Sequence, residues 1–100
     1  MQQDMDYKFI QQIKKLDFVE KIILFGSRAR GDNAMRTDID LAIICPTATR
    51  RDWSILLQII EEADTLLKID CIRFDELPGN SVLKQNIEID GKIIYEKTPH

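Results

Sequence analysis

The chain has 100 residues, of which 44% are hydrophobic and 31% charged, so we expect one small globular domain spanning residues 1–100. Its formal net charge of −3 and pI of about 5.1 argue against the broad basic surface on which direct nucleic-acid binding depends. The sequence shows neither a cationic start followed by an apolar stretch nor an apolar run of membrane-spanning length. We therefore expect a cytoplasmic protein with no signal peptide and no membrane contact.

The first third of the chain predicts a helix, a strand and a loop. Apolar residues at helical spacing over residues 4–16 predict the helix, with Asp4 or Asp6 as its N-cap. The apolar, branched run at residues 19–25 predicts a short strand. Residues 32–37 are polar and have no periodic pattern, which indicates a loop.

The middle of the chain predicts a strand followed by an amphipathic helix. Residues 39–45 form a second apolar run, which is closed by a proline. Thr49 and Asp52 have the spacing of a capping box, and the helix is predicted from Arg51 to about Leu67. Its predicted apolar stripe consists of Trp53, Leu56, Leu57, Ile60, Ala63 and Leu67.

The last third predicts strand, turn, helix and strand. Residues 68–74 form a third strand, and residues 75–80 contain the proline and glycine of a turn. Ser81 is placed to cap a short helix, and residues 92–95 form the last strand. The resulting order, αβ(α)βαβαβ, predicts an α/β (α+β) fold in which the two longest helices cover one face of a small mixed sheet.

A glycine–serine turn follows the first strand directly. Gly26 allows the backbone to come close to a bound anion, and the short helical segment after it offers free N–H groups. The Ser27 hydroxyl adds a donor, while Arg28 and Arg30 add positive charge. An ordinary strand-to-helix turn is the simpler interpretation, but an Asp-x-Asp pair at the start of the next strand favours a phosphate site.

Three acidic residues are candidate metal ligands. Asp38 and Asp40 lie two apart at a strand start, so the pleat points both side chains to the same face. Adjacent carboxylates repel one another unless a cation lies between them, and magnesium prefers carboxylate and phosphate oxygens. Asp70 interrupts the apolar third strand. If the strands of Asp38 and Asp70 are neighbours, the three acids converge as in two-metal phosphoryl transfer; otherwise, a solvated turn and an exposed edge position explain them.

The remaining candidates predict structural roles. Cys45 and Cys71 lie inside apolar runs and lack metal-ligand spacing, so we expect buried free thiols in a reducing compartment. Trp53, on the apolar stripe of its helix, is expected in the core or at an interface.

Two sequence blocks resemble the signature of the DNA polymerase β-like nucleotidyltransferase superfamily. They are GSRARG at residues 26–31 and TDIDLA at residues 37–42, and Asp70 in the segment KIDCI matches the family's third acid. Within this superfamily the chain is similar to the minimal nucleotidyltransferase (MNT) group, whose members are small domains of about this length. It departs from the pattern at Thr37, where serine is more frequent, and in lacking proline in the connecting loop.

The resemblance implies roles for the candidate site residues. It assigns triphosphate binding to Gly26, Ser27, Arg28 and Arg30, the binding of two magnesium ions to Asp38, Asp40 and Asp70, and proton acceptance from the acceptor hydroxyl to Asp70.

The resemblance also implies an enzyme that moves a nucleoside monophosphate, AMP from ATP, onto an acceptor hydroxyl. MNT proteins resemble the antitoxin half of pairs with a HEPN-type helical toxin, in which the MNT protein adenylylates a tyrosine of its partner. Two alternatives stay open: a non-catalytic antitoxin that masks its partner, and a transferase acting on an aminoglycoside-like small molecule. The base preference and the choice between a homo- and a hetero-oligomer are also left open.

Overall fold

The structure is a computed structural model and describes residues 7–26, 39–63, 65–66 and 68–98. The described part forms three α-helices and four strands in the predicted order. The short helical segment predicted after the glycine–serine turn and the loop predicted at residues 32–37 lie outside the described residues. The helices are α1 (Lys8–Lys14), α2 (Arg50–Glu61) and α3 (Val82–Asp90), and the strands are β1 (Lys21–Phe25), β2 (Ile39–Ile44), β3 (Ile69–Arg73) and β4 (Lys92–Glu96). A single 3₁₀ turn, Phe74–Glu76, follows β3.

The four strands form one mixed sheet in the order β3-β2-β1-β4. Strand β1 is antiparallel to both of its neighbours, β2 and β4. Strands β2 and β3 are parallel, and α2 forms the crossover between them. A parallel pair needs such a connection, because the chain must return to the same end of the sheet before the second strand starts. The predicted mixed sheet is thus confirmed.

Alternation along the strands divides the core between the two faces of the sheet. Helices α1 and α2 cover one face, as predicted, and the fully buried side chains on this side are Phe9, Ile10, Ile13, Val19, Ile22, Ile39, Leu41, Ile43, Cys45 and Leu56. The other face carries a smaller buried cluster of Ile23, Ala42 and Ile87. Because Ile87 belongs to α3, the third helix packs on the face opposite to α1 and α2.

Local capping explains where two of the helices begin. Thr49 caps α2, accepting from the backbone N–H of Asp52 at 3.0 Å, while the Asp52 carboxylate accepts from the Thr49 N–H at 2.9 Å. This reciprocal pair confirms the predicted capping box. Ser81 caps α3 by accepting from the N–H of Lys84 at 3.2 Å, again as predicted.

Two helix boundaries differ from the sequence prediction. Helix α2 ends at Glu61 rather than near Leu67. Ala63 still packs on the core, Leu66 is fully exposed, and Leu67 lies outside the described residues. Leu57, assigned to the apolar stripe, is also an exposed side chain. Helix α1 begins at Lys8, and its N-cap is Tyr7, which makes no side-chain cap. Asp4 and Asp6, the predicted N-caps, lie outside the described residues.

None of the helices in the described ranges is both long enough and apolar enough to cross a membrane.

Candidate active site

Three strand ends meet at one end of the sheet. Strand β1 ends at Phe25, which lies opposite Asp40 near the start of β2. Asp40 is in turn the register partner of Asp70, near the start of β3. The condition set by the sequence, that the strands carrying the acids should be neighbours, is met by the parallel pairing of β2 and β3.

Asp40 and Asp70 lie side by side on one face of the sheet. Register partners on parallel strands project to the same side, and neighbouring strands are about 4.8 Å apart. Asp40 is half-buried, while the Asp70 side chain is 48% exposed. The alternation also puts both carboxylates on the face that carries Ile23, Ala42 and α3. Any group that binds these acids therefore approaches from the α3 side of the sheet.

A lysine that the sequence analysis did not single out accompanies the two acids. Lys68 lies two residues before Asp70, and its Nζ is 4.0 Å from the Asp70 Oδ1. The Lys68 side chain is 71% exposed, so this ion pair is screened by water and weak. The two-residue spacing, which puts both side chains on one face of a strand, was the signal in the sequence.

Gly26, the predicted phosphate-turn glycine, ends β1 directly beside Asp40. Its φ of +79° lies in the left-handed region that favours glycine. A Cβ at this position would approach the Asp40 Oδ2 far inside 3.0 Å and the Asp40 Cγ to 3.3 Å. The start of the predicted phosphate turn and one of the predicted metal ligands are thus in direct contact.

The chemistry of this donor set fits a magnesium ion. Mg²⁺ is usually held by one or two carboxylates, with water and substrate phosphates completing an octahedron, and Asp40 and Asp70 offer two adjacent carboxylates. Across residues 7–26, 39–63, 65–66 and 68–98, no group of three or more His, Cys, Asp or Glu side chains is placed to hold a metal ion. Asp38, the third predicted ligand, lies outside these described residues, as do Ser27, Arg28 and Arg30. Their assigned roles stay predictions.

The opposite end of the sheet is held together by an arginine. The Arg73 guanidinium, on a side chain only 14% exposed, donates from Nη2 to the carbonyl oxygens of Cys45 at 2.9 Å and Ala48 at 2.8 Å. The Asp75 carboxylate accepts from the Cys45 N–H at 2.6 Å and lies 4.0 Å from the Arg73 Nε. These contacts fasten the end of β3 to the loop before α2. Nothing in the sequence pattern indicated this role for Arg73.

The two cysteines are free, and Cys45 is fully buried, as expected for structural thiols. Burial raises the pKa of the Cys45 thiol to about 11 and that of the half-buried Cys71 to about 12. Both thiols therefore stay protonated near neutral pH, which makes them poor nucleophiles and poor metal ligands.

An open groove of about 510 Å³ lies between the loop after α1 and the start of α2. Its lining includes Leu16, Phe18 and Thr47, and neither Asp40 nor Asp70 contributes to it. Because Thr47 follows the end of β2, the groove lies at the opposite end of the sheet from the acids. Its lining also includes Asp17 and Asp52, but no described residue that the sequence assigns to the site lies in it, so the acid end remains the candidate site.

Comparison with known proteins bears on the family and the fold of the chain. A family model described as "Polymerase beta, Nucleotidyltransferase" matches residues 7–100, whereas the curated proteins give no match. Among solved structures, the chain is similar to one described as a toxin–antitoxin with AMP-PNP (22% identity, TM-score 0.66), covering 90% of this chain and 69% of that one.

Two MntA-HpeT toxin–antitoxin structures are also similar. One is a variant with two aspartates, two positions apart, changed to glutamate (20% identity, TM-score 0.67, 90% and 71% coverage of this and that chain). The other is a tyrosine-to-alanine variant (22% identity, TM-score 0.66, 96% and 75% coverage). At these identities, the likeness shows a shared fold.

Proposed function

Because the chain belongs to the polymerase β nucleotidyltransferase family, we propose that it transfers AMP from ATP to an acceptor hydroxyl, assisted by two magnesium ions. The observation that carries this proposal is the register of Asp40 and Asp70 on neighbouring parallel strands. Two adjacent carboxylates on one face of a sheet are suited to bind divalent cations. The exposure of Asp70 leaves it accessible to an incoming acceptor.

In the proposed reaction, each of the site residues has a separate role. Asp40, with Asp38, holds the metal-bound triphosphate, and Gly26 and Ser27 bind its phosphate oxygens at the end of β1. Asp70 accepts the proton as the acceptor oxygen forms its bond to the α-phosphorus. The bond from that phosphorus to the bridging oxygen breaks, and pyrophosphate leaves. Magnesium, when bound, neutralises the phosphate charge and lowers the pKa of the attacking hydroxyl.

We infer that the acceptor belongs to a second protein. The described residues form the acid site and its supporting sheet, and the exposed Asp70 is open to a large partner. Three of the structural neighbours are described as toxin–antitoxin structures, one of them with AMP-PNP. This supports an antitoxin role in which a tyrosine of a HEPN-type helical toxin receives AMP. The acceptor tyrosine would approach the acids from the α3 face of the sheet.

The test uses ATP labelled in either of two positions. The protein is incubated with magnesium, its candidate partner, and ATP carrying the label on the α- or the γ-phosphate. AMP transfer moves the α-label into the partner and leaves the γ-label in pyrophosphate. Incorporation of the γ-label alone would indicate phosphorylation and contradict the proposal. Inhibition of the partner without any label would instead support the masking antitoxin.

A further inference from the structure

Gly26 has a left-handed backbone conformation and lies beside the Asp40 side chain. Among the described glycines, only Gly26 has a positive φ. The three atoms nearest to a Cβ built on it all belong to the Asp40 side chain: Oδ2, Cγ and Cβ. Within the described residues, the side chain that a Cβ on Gly26 would meet first is therefore that of Asp40.

The register of the sheet explains the contact. Phe25 is the antiparallel partner of Asp40, so the next residue turns the chain immediately beside the Asp40 side chain. The left-handed φ of Gly26 directs the backbone across this position, and the missing Cβ leaves the space that the carboxylate fills.

We propose that Gly26 is a positioning residue for Asp40, so that its backbone forms the wall against which the Asp40 carboxylate is set. Glycine is then required at this position for the geometry of the acid, independently of any close approach to a phosphate. The same contact couples the phosphate turn to the metal ligand, because a shift of the turn displaces the carboxylate. The inference rests on the proposed function only in treating Asp40 as a metal ligand.

The first test measures Mn²⁺ affinity by electron paramagnetic resonance, with no nucleotide present. If the only role of Gly26 were to let the backbone approach a phosphate, its replacement would not change the Mn²⁺ affinity when no phosphate is present. We expect Gly26→Ala to weaken Mn²⁺ binding by about 10–100-fold, the usual effect of losing a group that orients a metal ligand. Equal Mn²⁺ affinity in Gly26→Ala and the unaltered protein would overturn the proposal.

Two other glycines provide matched controls. A Cβ on Gly79 would meet nothing within 4 Å, so Gly79→Ala should leave both stability and Mn²⁺ affinity unchanged. A Cβ on Gly91 would meet the Ile87 carbonyl oxygen and the Ile23 side chain, and none of its nearest atoms belongs to Asp40 or Asp70. Gly91→Ala should therefore lower stability while keeping the Mn²⁺ affinity. A weakening in Gly91→Ala equal to that in Gly26→Ala would show that general destabilisation is the cause.

The second test is a double-mutant cycle on thermal stability in EDTA, which needs neither metal nor activity. Gly26→Ala is made in the unaltered chain and in Asp40→Ala, where the crowding carboxylate is gone. The strain of a positive φ acts in both backgrounds and cancels. We expect the fall in Tm to be at least about 4 °C larger when Asp40 is present. Equal falls would overturn the positioning role.

Failure of the proposed function has a different signature. If the protein transfers no AMP, both tests can still give their expected results, because neither measures transfer. If it binds no Mn²⁺, the metal role of Asp40 fails, and the cycle in EDTA alone decides whether Gly26 positions the carboxylate.

Discussion

Replacing Asp70 by asparagine removes one of the two adjacent charges while keeping the shape of the side chain. Neighbouring strands lie about 5 Å apart, and two unit charges at that spacing repel by about 0.8 kcal/mol in water-like surroundings. The 48% exposure of the Asp70 side chain justifies that dielectric. The same substitution loses the attraction of Lys68, 4.0 Å away, which is about 1 kcal/mol on the same scale. The two terms nearly cancel.

In metal-free buffer, Asp70→Asn should therefore leave the free energy of unfolding within about 0.5 kcal/mol of the unaltered protein, a change in Tm of about 4 °C or less. Metal should separate the two proteins. At a concentration of about 100 Kd, a ligand that binds only the folded state stabilises it by about 2.7 kcal/mol, which raises Tm by on the order of 10 °C. Asp70→Asn should lose most of this rise.

Thermal unfolding followed by circular dichroism, in EDTA and with Mg²⁺ or Mn²⁺, measures both quantities. Asp17→Asn is the matched control, since Asp17 is an exposed acid in the loop between α1 and β1, at the other end of the sheet. It should retain the full rise in Tm. An equal metal-induced rise in Asp70→Asn and the unaltered protein would refute the assignment of Asp70 as a ligand.

Three further predictions concern other parts of the chain. Arg73→Met removes the donor to the carbonyl oxygens of Cys45 and Ala48. Urea titration should show a loss of about 2–4 kcal/mol of stability, and an unchanged midpoint would exclude a stabilising role for these hydrogen bonds. Ser27→Ala should weaken ATP binding roughly tenfold by calorimetry, from the loss of one charge-assisted hydrogen bond, and equal affinities would remove Ser27 from the site. The pKa values of Cys45 and Cys71 are raised from 9.0 to about 11 and about 12, so the folded state keeps protons that the unfolded state releases above pH 9. Stability should fall as pH rises from 9 towards 11, by roughly 1.4 kcal/mol per unit and thiol, and changing both cysteines to alanine should remove that component of the slope.

The sequence predicted the parts of the fold that depend on short-range pattern. Apolar runs located all four strands, and hydroxyl residues at cap spacing located the starts of α2 and α3. The convergence of Asp38, Asp40 and Asp70 was predicted on the condition that their strands are neighbours, and the pairing of β2 with β3 meets that condition for Asp40 and Asp70. In each case the physical cause, a pleat or a cap, acts over a few residues.

The features that the sequence did not reveal depend on where distant segments meet. Helical spacing carried the predicted α2 out to Leu67, but the helix ends at Glu61, and Leu66 beyond it lies in solvent. The Arg73 guanidinium donates to carbonyl oxygens that lie 25 and 28 residues earlier in the chain. The contact of Gly26 with Asp40 depends on the register of β1 with β2. No local sequence pattern predicts these long-range contacts.

The central claim is that Asp40 and Asp70 form the site of AMP transfer to a partner protein, and the intact mass of that partner tests it most directly. The candidate partner is incubated with ATP, Mg²⁺ and either the unaltered protein, Asp70→Asn or the control Asp17→Asn, and is weighed at successive times. The unaltered protein and Asp17→Asn should add the mass of AMP, while Asp70→Asn, still folded and bound to the partner, should do so about 10²–10⁴ times more slowly. A partner whose mass stays unchanged with the unaltered protein, or that is modified equally fast by Asp70→Asn, would contradict the claim.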